Sequence, residues 1–118
     1  VDSIYHMSQL LQDMGQLEEA KPFLEEDLQE SRETLGDRHP RTLISISAMG
    51  DLLLGMGQLD EARPLYEEAL QVSRETLGDR HPGTLRSISN MGALLQEMGQ
   101  LEKARPLYEE SLQGKRET

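Results

Sequence analysis

The residues that could do chemistry are 3 histidines and 22 acids, set against 12 lysines and arginines, with no cysteine. His39 and His81 each stand in the same string, Asp37-Arg38-His39-Pro40 and Asp79-Arg80-His81-Pro82. Two imidazoles share a metal ion only when both reach to within about 2 Å of it. These two are 42 residues apart in matching strings, so they lie about one repeat spacing from each other and read as turn residues that close one helix and open the next. His6 has no second His and no Cys nearby. The acidic pairs Glu25-Glu26, Glu67-Glu68 and Glu109-Glu110 are sequence neighbours. Neighbours on a helix diverge, so they cannot flank a bond as a general acid and base do. There is no Gly-rich phosphate loop, no Ser-His-Asp pattern and no Gly-x-Ser-x-Gly. Without cysteine there is neither disulfide nor thiolate chemistry, which fits a reducing compartment. The chain is therefore expected to have no catalytic residue, cofactor or metal, to be no enzyme, and to be cytoplasmic.

Charge and hydropathy narrow the partners. The net charge of −10 argues against nucleic acid, whose phosphates call for an excess of Lys and Arg. The acidity is graded: residues 1–42 hold ten acids and four bases, 43–84 seven and three, and 85–118 five of each. No apolar run approaches the roughly 18 residues of a membrane span. No basic segment followed by an apolar run opens the chain, and it begins at Val1, which suggests a piece excised from something longer. The aromatic residues are Tyr5, Phe23, Tyr66 and Tyr108 alone. A solenoid built from Leu, Met, Ile and Ala needs few.

What positions these residues is a repeat. Met14-Gly15-Gln16-Leu17 returns as Met56-Gly57-Gln58-Leu59 and as Met98-Gly99-Gln100-Leu101, a period of 42. Residues 43–76 and 85–118 agree at 24 of 34 positions, which means duplication or design from one template. In the middle copy Leu43, Ile46, Met49, Gly50, Leu53 and Met56 recur at steps of three and four and so share one helix face. Gly57 ends that helix. A second opens near Leu59, with Ala62, Leu65, Tyr66, Ala69, Leu70, Ser73 and Leu77 as its buried stripe. Gly78 closes it, and Pro82 suits the next first turn, where a missing N–H does no harm. Pro64, just past a first turn, is expected to be tolerated with a slight bend. The spacing predicts helix pairs near 1–14 with 17–35, 40–56 with 59–77, and 82–98 with 101–117. The methionines at 7, 14, 49, 56, 91 and 98 recur with the repeat and read as core.

This pattern resembles the tetratricopeptide repeat: a large residue, two spacers, Leu-Gly, two spacers, Tyr, then Ala, three spacers and Phe. The middle copy has Ile46, Met49-Gly50, Leu53, Ala62 and Tyr66, and the third Ile88, Met91-Gly92, Leu95, Ala104 and Tyr108. The first has Ile4, Met7-Ser8, Leu11, Ala20 and Leu24. The period is 42 where that family usually has about 34, and the closing proline falls eight residues late, at Pro40 and Pro82. Units of this length are similar to those of kinesin light chains and to arrays attached to signal-transducing nucleotide-binding switch proteins. The resemblance implies an all-α fold, an α-solenoid (a right-handed superhelix) of three helix-turn-helix repeats and six helices. It would be a single array over 1–118, with repeats at approximately 1–39, 40–81 and 82–118. Ser8 replaces the packing glycine of the first copy, and Asp27 stands where Ala69 and Ser111 stand. A buried carboxylate needs partners, so Asp27 is expected to be partly exposed or hydrogen-bonded.

The copies also differ, and the differences are ordered. On the first helices Ile44, Ala48, Asp51 and Gly55 become Arg86, Asn90, Ala93 and Glu97, and the first copy has Asp2, His6, Gln9 and Asp13. Steps of four, three and four put each set on one stripe. On the second helices Glu67, Glu68, Gln71, Arg74 and Glu75 return unchanged as Glu109, Glu110, Gln113, Arg116 and Glu117. The resemblance implies that first helices line a concave groove that holds peptides, so these twelve residues are the expected contacts. Asn90 can donate to and accept from a ligand backbone, and Arg86 can pair with a carboxylate. The expected function is a protein-interaction scaffold that binds a peptide or partner protein. The alternatives are a spacer or self-assembly element, self-associating through uncapped repeat ends, and an excised or designed piece with no ligand of its own. The last copy turns more polar, with Ser111, Gly114 and Lys115 for Ala69, Val72 and Ser73.

Overall fold

The computed structural model describes residues 2–117, and their side chains except those of residues 2–5, 8 and 117. Six helices follow one another: α1 (Asp2–Asp13), α2 (Leu17–Leu35), α3 (Pro40–Gly55), α4 (Leu59–Leu77), α5 (Pro82–Glu97) and α6 (Leu101–Glu117). The described residues contain no strand. Packing is extensive only between consecutive helices, as expected of a solenoid whose core grows by addition of neighbours. The molecule measures 35 × 30 × 22 Å.

The short turn inside each pair is a helix C-cap. The Gly57 N–H bonds to the Leu54 carbonyl at 3.0 Å and the Gln58 N–H to the Leu53 carbonyl at 2.8 Å. That pattern needs a left-handed residue at its centre, and Gly57 has φ +76°. The Gly15 and Gly99 turns are alike, which is why Met-Gly-Gln-Leu recurs. The turn between pairs is an N-cap. The His39 Nδ1 accepts from the Arg41 N–H at 3.0 Å, and the His81 Nδ1 from the Gly83 N–H at 2.9 Å. Pro40 and Pro82 open the helices that follow. The histidines thus satisfy orphan donors at helix starts, as the turn reading expected.

The core runs through the array. Ala20, Ala62 and Ala104 let helices approach, and Leu24, Leu52, Tyr66 and Leu94 fill the space between. A Cβ added at Gly50 would stand 2.7 Å from Cε1 of Tyr66, so only glycine admits that ring. The 19-residue α2 and α4 run through Pro22 and Pro64 without interruption. Buried hydroxyls stitch one pair to the next: Thr42 donates to the Ser31 carbonyl at 3.3 Å and Thr84 to the Ser73 carbonyl at 3.1 Å.

Asp27 meets the second of its two expected alternatives: it is wholly buried and hydrogen-bonded, with Ser45 donating to it at 2.7 Å and Arg41 at 3.1 Å. One expectation needs correction. Met49 and Met91 are core, but Met7 and Met14 are exposed, because no described helix precedes α1 to cover them.

Candidate functional site, a groove across the first helices

A groove of about 730 Å³ crosses α1, α3 and α5 and reaches the C-terminal end of α4. Leu43, Ala48, Ser73 and Ser87 are buried and form its floor. Ile44, Asp51 and Arg86 stand exposed along its sides, with Gln9, Gln12 and Asn90 between. Of the stripe residues, Gln9, Ile44, Ala48, Asp51, Arg86 and Asn90 line this one groove. Steps of four and three hold Ile44, Ala48 and Asp51 in one line on α3, and Arg86 and Asn90 lie one turn apart on α5.

The remaining stripe residues lie elsewhere. His6, Asp13 and Glu97 are exposed outside the groove, and Ala93 is half-buried outside it. Gly55 turns towards α2: a Cβ there would sit 3.5 Å from Cδ1 of Leu17. Asp2 falls outside the described side chains, as do Ile4 and Ser8. Ser47, Leu77 and the turn His81-Pro82-Gly83 also line the groove, outside the stripe. Ser47 is identical to Ser89, and the turns are nearly identical, so nothing in the differences between copies marks them.

The electrostatics centre on Asp51. The Tyr66 hydroxyl donates to its carboxylate. Asp51 is open on one side, yet the concave surroundings remove enough water from its carboxyl to push its pKa upward. The hydrogen bond from Tyr66 and the charge of Arg86 pull the other way. Burial raises the Tyr66 phenol, and the neighbouring carboxylate raises it further. In the third copy Ala93 replaces Asp51, and Tyr108 donates to Gln96 Oε1 at 3.0 Å instead. The groove therefore holds Asp51, Arg86 and His81, a floor of Leu43, Ala48, Ser73 and Ser87, and several amides. Its Gln12 Nε2 is buried with no acceptor among the described residues. Among the described residues no three His, Cys, Asp or Glu are placed to hold a metal.

The outer surface has a structural reason for its constancy. Arg32 grips Glu68 with two bonds of 2.7 and 2.8 Å, and Arg74 grips Glu110 at 2.7 and 2.9 Å. Arg38 reaches Glu75 at 2.8 Å. Arg74, Glu75, Glu68 and Glu110 thus recur as rungs of a ladder between second helices. Their constancy thus has a structural cause in the packing of one pair on the next.

Six helices paired in succession, with packing between consecutive ones, form an all-α repeat solenoid. The tetratricopeptide repeat sequence profile matches residues 1–63 and 46–117, so the chain belongs to the tetratricopeptide repeat family. Repeats of this family generally mediate protein–protein interaction, typically as non-catalytic scaffolds. Among solved structures, a kinesin-light-chain-like protein of Podosopora anserina with nearly identical TPR-like repeats superposes with a TM-score of 0.86 at 29% identity, over 93% of this chain and 52% of that one. BtubC from P. vanneervenii gives 0.88 at 18% identity over 95% of this chain and 44% of that one. The TPR domain of Arabidopsis FLU gives 0.82 at 20% identity, over 98% and 94% respectively. This chain spans about half the length of the first of these. No curated protein matches it. No described helix is long and apolar enough to cross a membrane.

Proposed function

We propose that the chain binds a peptide segment of a partner protein in the groove across α1, α3 and α5. The observation that carries this reading is convergence: Asp51, Arg86 and Asn90 line one groove above a floor of Leu43, Ala48, Ser73 and Ser87. A peptide backbone offers both the donor and the acceptor that Asn90 can engage. An acidic ligand side chain suits Arg86, and an aliphatic one suits Ile44 and Ala48.

The test is a peptide selected on the chain from a random display library and followed by fluorescence anisotropy. Arg86→Ala and Asn90→Ala are each expected to weaken its affinity about tenfold, as truncated anchor residues do, with helical content and melting unchanged. Unchanged affinity in both variants would sink the assignment.

A further inference from the structure

Among the described residues that line the groove, Asp51 is the one acid and Arg86 the one Lys or Arg. They stand on neighbouring first helices, α3 and α5, and both are exposed. The charge of Arg86 reaches Asp51 without a hydrogen bond to it among the described residues. A carboxylate has about four acceptor sites, and the Tyr66 hydroxyl fills one. The others are open to a ligand in the groove.

The fold does not require an acid at this position. In the third copy Ala93 stands there, and the neutral amide of Gln96 accepts from the Tyr108 hydroxyl at 3.0 Å. In the first copy Gln9 stands there, and Leu24 replaces the tyrosine, so no hydroxyl needs an acceptor. The charge of Asp51 is also unfavourable in the free chain, because its concave surroundings withhold water from it. A charge that packing does not need and desolvation opposes is what a binding site supplies to an ionic ligand. Tyr66 in turn fixes the carboxylate, so a ligand meets it already oriented.

We infer that the peptide held by the groove carries a lysine or arginine that docks on Asp51, beside the acid that Arg86 receives. This rests on the groove reading above. Opposite charges then alternate, so the cation of the ligand does not face Arg86 uncompensated. The net charge of −10 attracts a cationic segment from a distance.

The test is to pan a random peptide display library on the parent chain and on Asp51→Asn. The asparagine keeps an oxygen for Tyr66 and loses only the charge. Peptides selected on the parent should carry a Lys or Arg at one position, and those selected on Asp51→Asn should not. In fluorescence anisotropy a parent-selected peptide should bind Asp51→Asn about tenfold more weakly, and should lose about as much when its own cation is replaced by glutamine. Both changes together should cost little more than either alone, as coupled partners do. Asp51→Asn should melt no lower than the parent, which separates lost recognition from lost folding. Peptides that need Arg86 or Asn90 but show no preference for a cation, or bind Asp51→Asn as tightly as the parent, overturn this inference and leave the groove reading standing. Peptides indifferent to both Arg86→Ala and Asn90→Ala, or no selected peptide at all, remove the groove reading and this inference with it.

Discussion

Asp27 and Arg41 illustrate how single residues divide this array. Asp27 is fully buried, and its charge is met by Arg41 at 3.1 Å and Ser45 at 2.7 Å. The corresponding positions one copy on are Ala69 and Gly83, so the pair is absent as a unit. A buried ion pair often contributes little beyond what apolar residues would, but removing one partner strands a charge. Arg41→Gly should therefore cost about 2–3 kcal/mol, the value of a hydrogen bond to a buried charge. The double change Asp27→Ala with Arg41→Gly, which copies the next junction, should fall within about 1 kcal/mol of the parent. Urea unfolding of both variants checks this; a double variant as weak as the single one would refute it. The need for partners was readable from an acid in an apolar column. That Arg41 supplies one was not, because the two residues meet only when α3 lies across α2.

Among the helices, the ladder between α2, α4 and α6 ties charge to pH. The hydrogen bond from Arg74 holds the Glu110 carboxyl below its usual pKa, and Arg38 does the same to Glu75. Carboxylates lowered by folding take up protons on unfolding. Their contribution is complete above the unfolded value, about 4.3, and is lost as pH falls through the lower folded value. Asp51 has the opposite sign. Its pKa is raised, so its contribution is complete below its unfolded value of about 3.9 and fades as pH rises through the folded value. Glu110→Gln should therefore flatten the acid arm of the stability profile, by about 1 kcal/mol for a half-exposed pair. Asp51→Asn should remove the opposing trend and stabilise the fold near neutral pH. Thermal melts from about pH 3 to 7 measure both effects. Equal acid sensitivity in Glu110→Gln and parent would show that the ladder does not govern it.

In the molecule as a whole, stability follows neighbour number. α3 and α4 have a packed helix on either side, whereas α1 and α6 have one each among the described residues. Arrays of this kind open from their ends, since stability sums over local interfaces. Native-state hydrogen exchange should show α1 and α6 amides opening at least about 1 kcal/mol more readily than those of α3 and α4. Uniform protection would mean that the array unfolds as one unit.

The helices and their turns were legible in the residue order because their causes are local. Steps of three and four set the buried faces, Gly57 and its equivalents supply a left-handed C-cap, and His39-Pro40 and His81-Pro82 supply N-caps. The candidate groove was legible in half. The stripe marked Gln9, Ile44, Ala48, Asp51, Arg86 and Asn90, but not the α4 end or the His81-Pro82-Gly83 turn that meet them. Gly55, Ala93 and Glu97 keep the right period yet lie outside the groove. Helical periodicity states which residues share a face. Which faces converge, and which outer acids become rungs to Arg32 and Arg74, depends on the angle and offset between successive pairs. That offset comes from packing between pairs, such as Thr42 bonded to the Ser31 carbonyl, and no single repeat contains it.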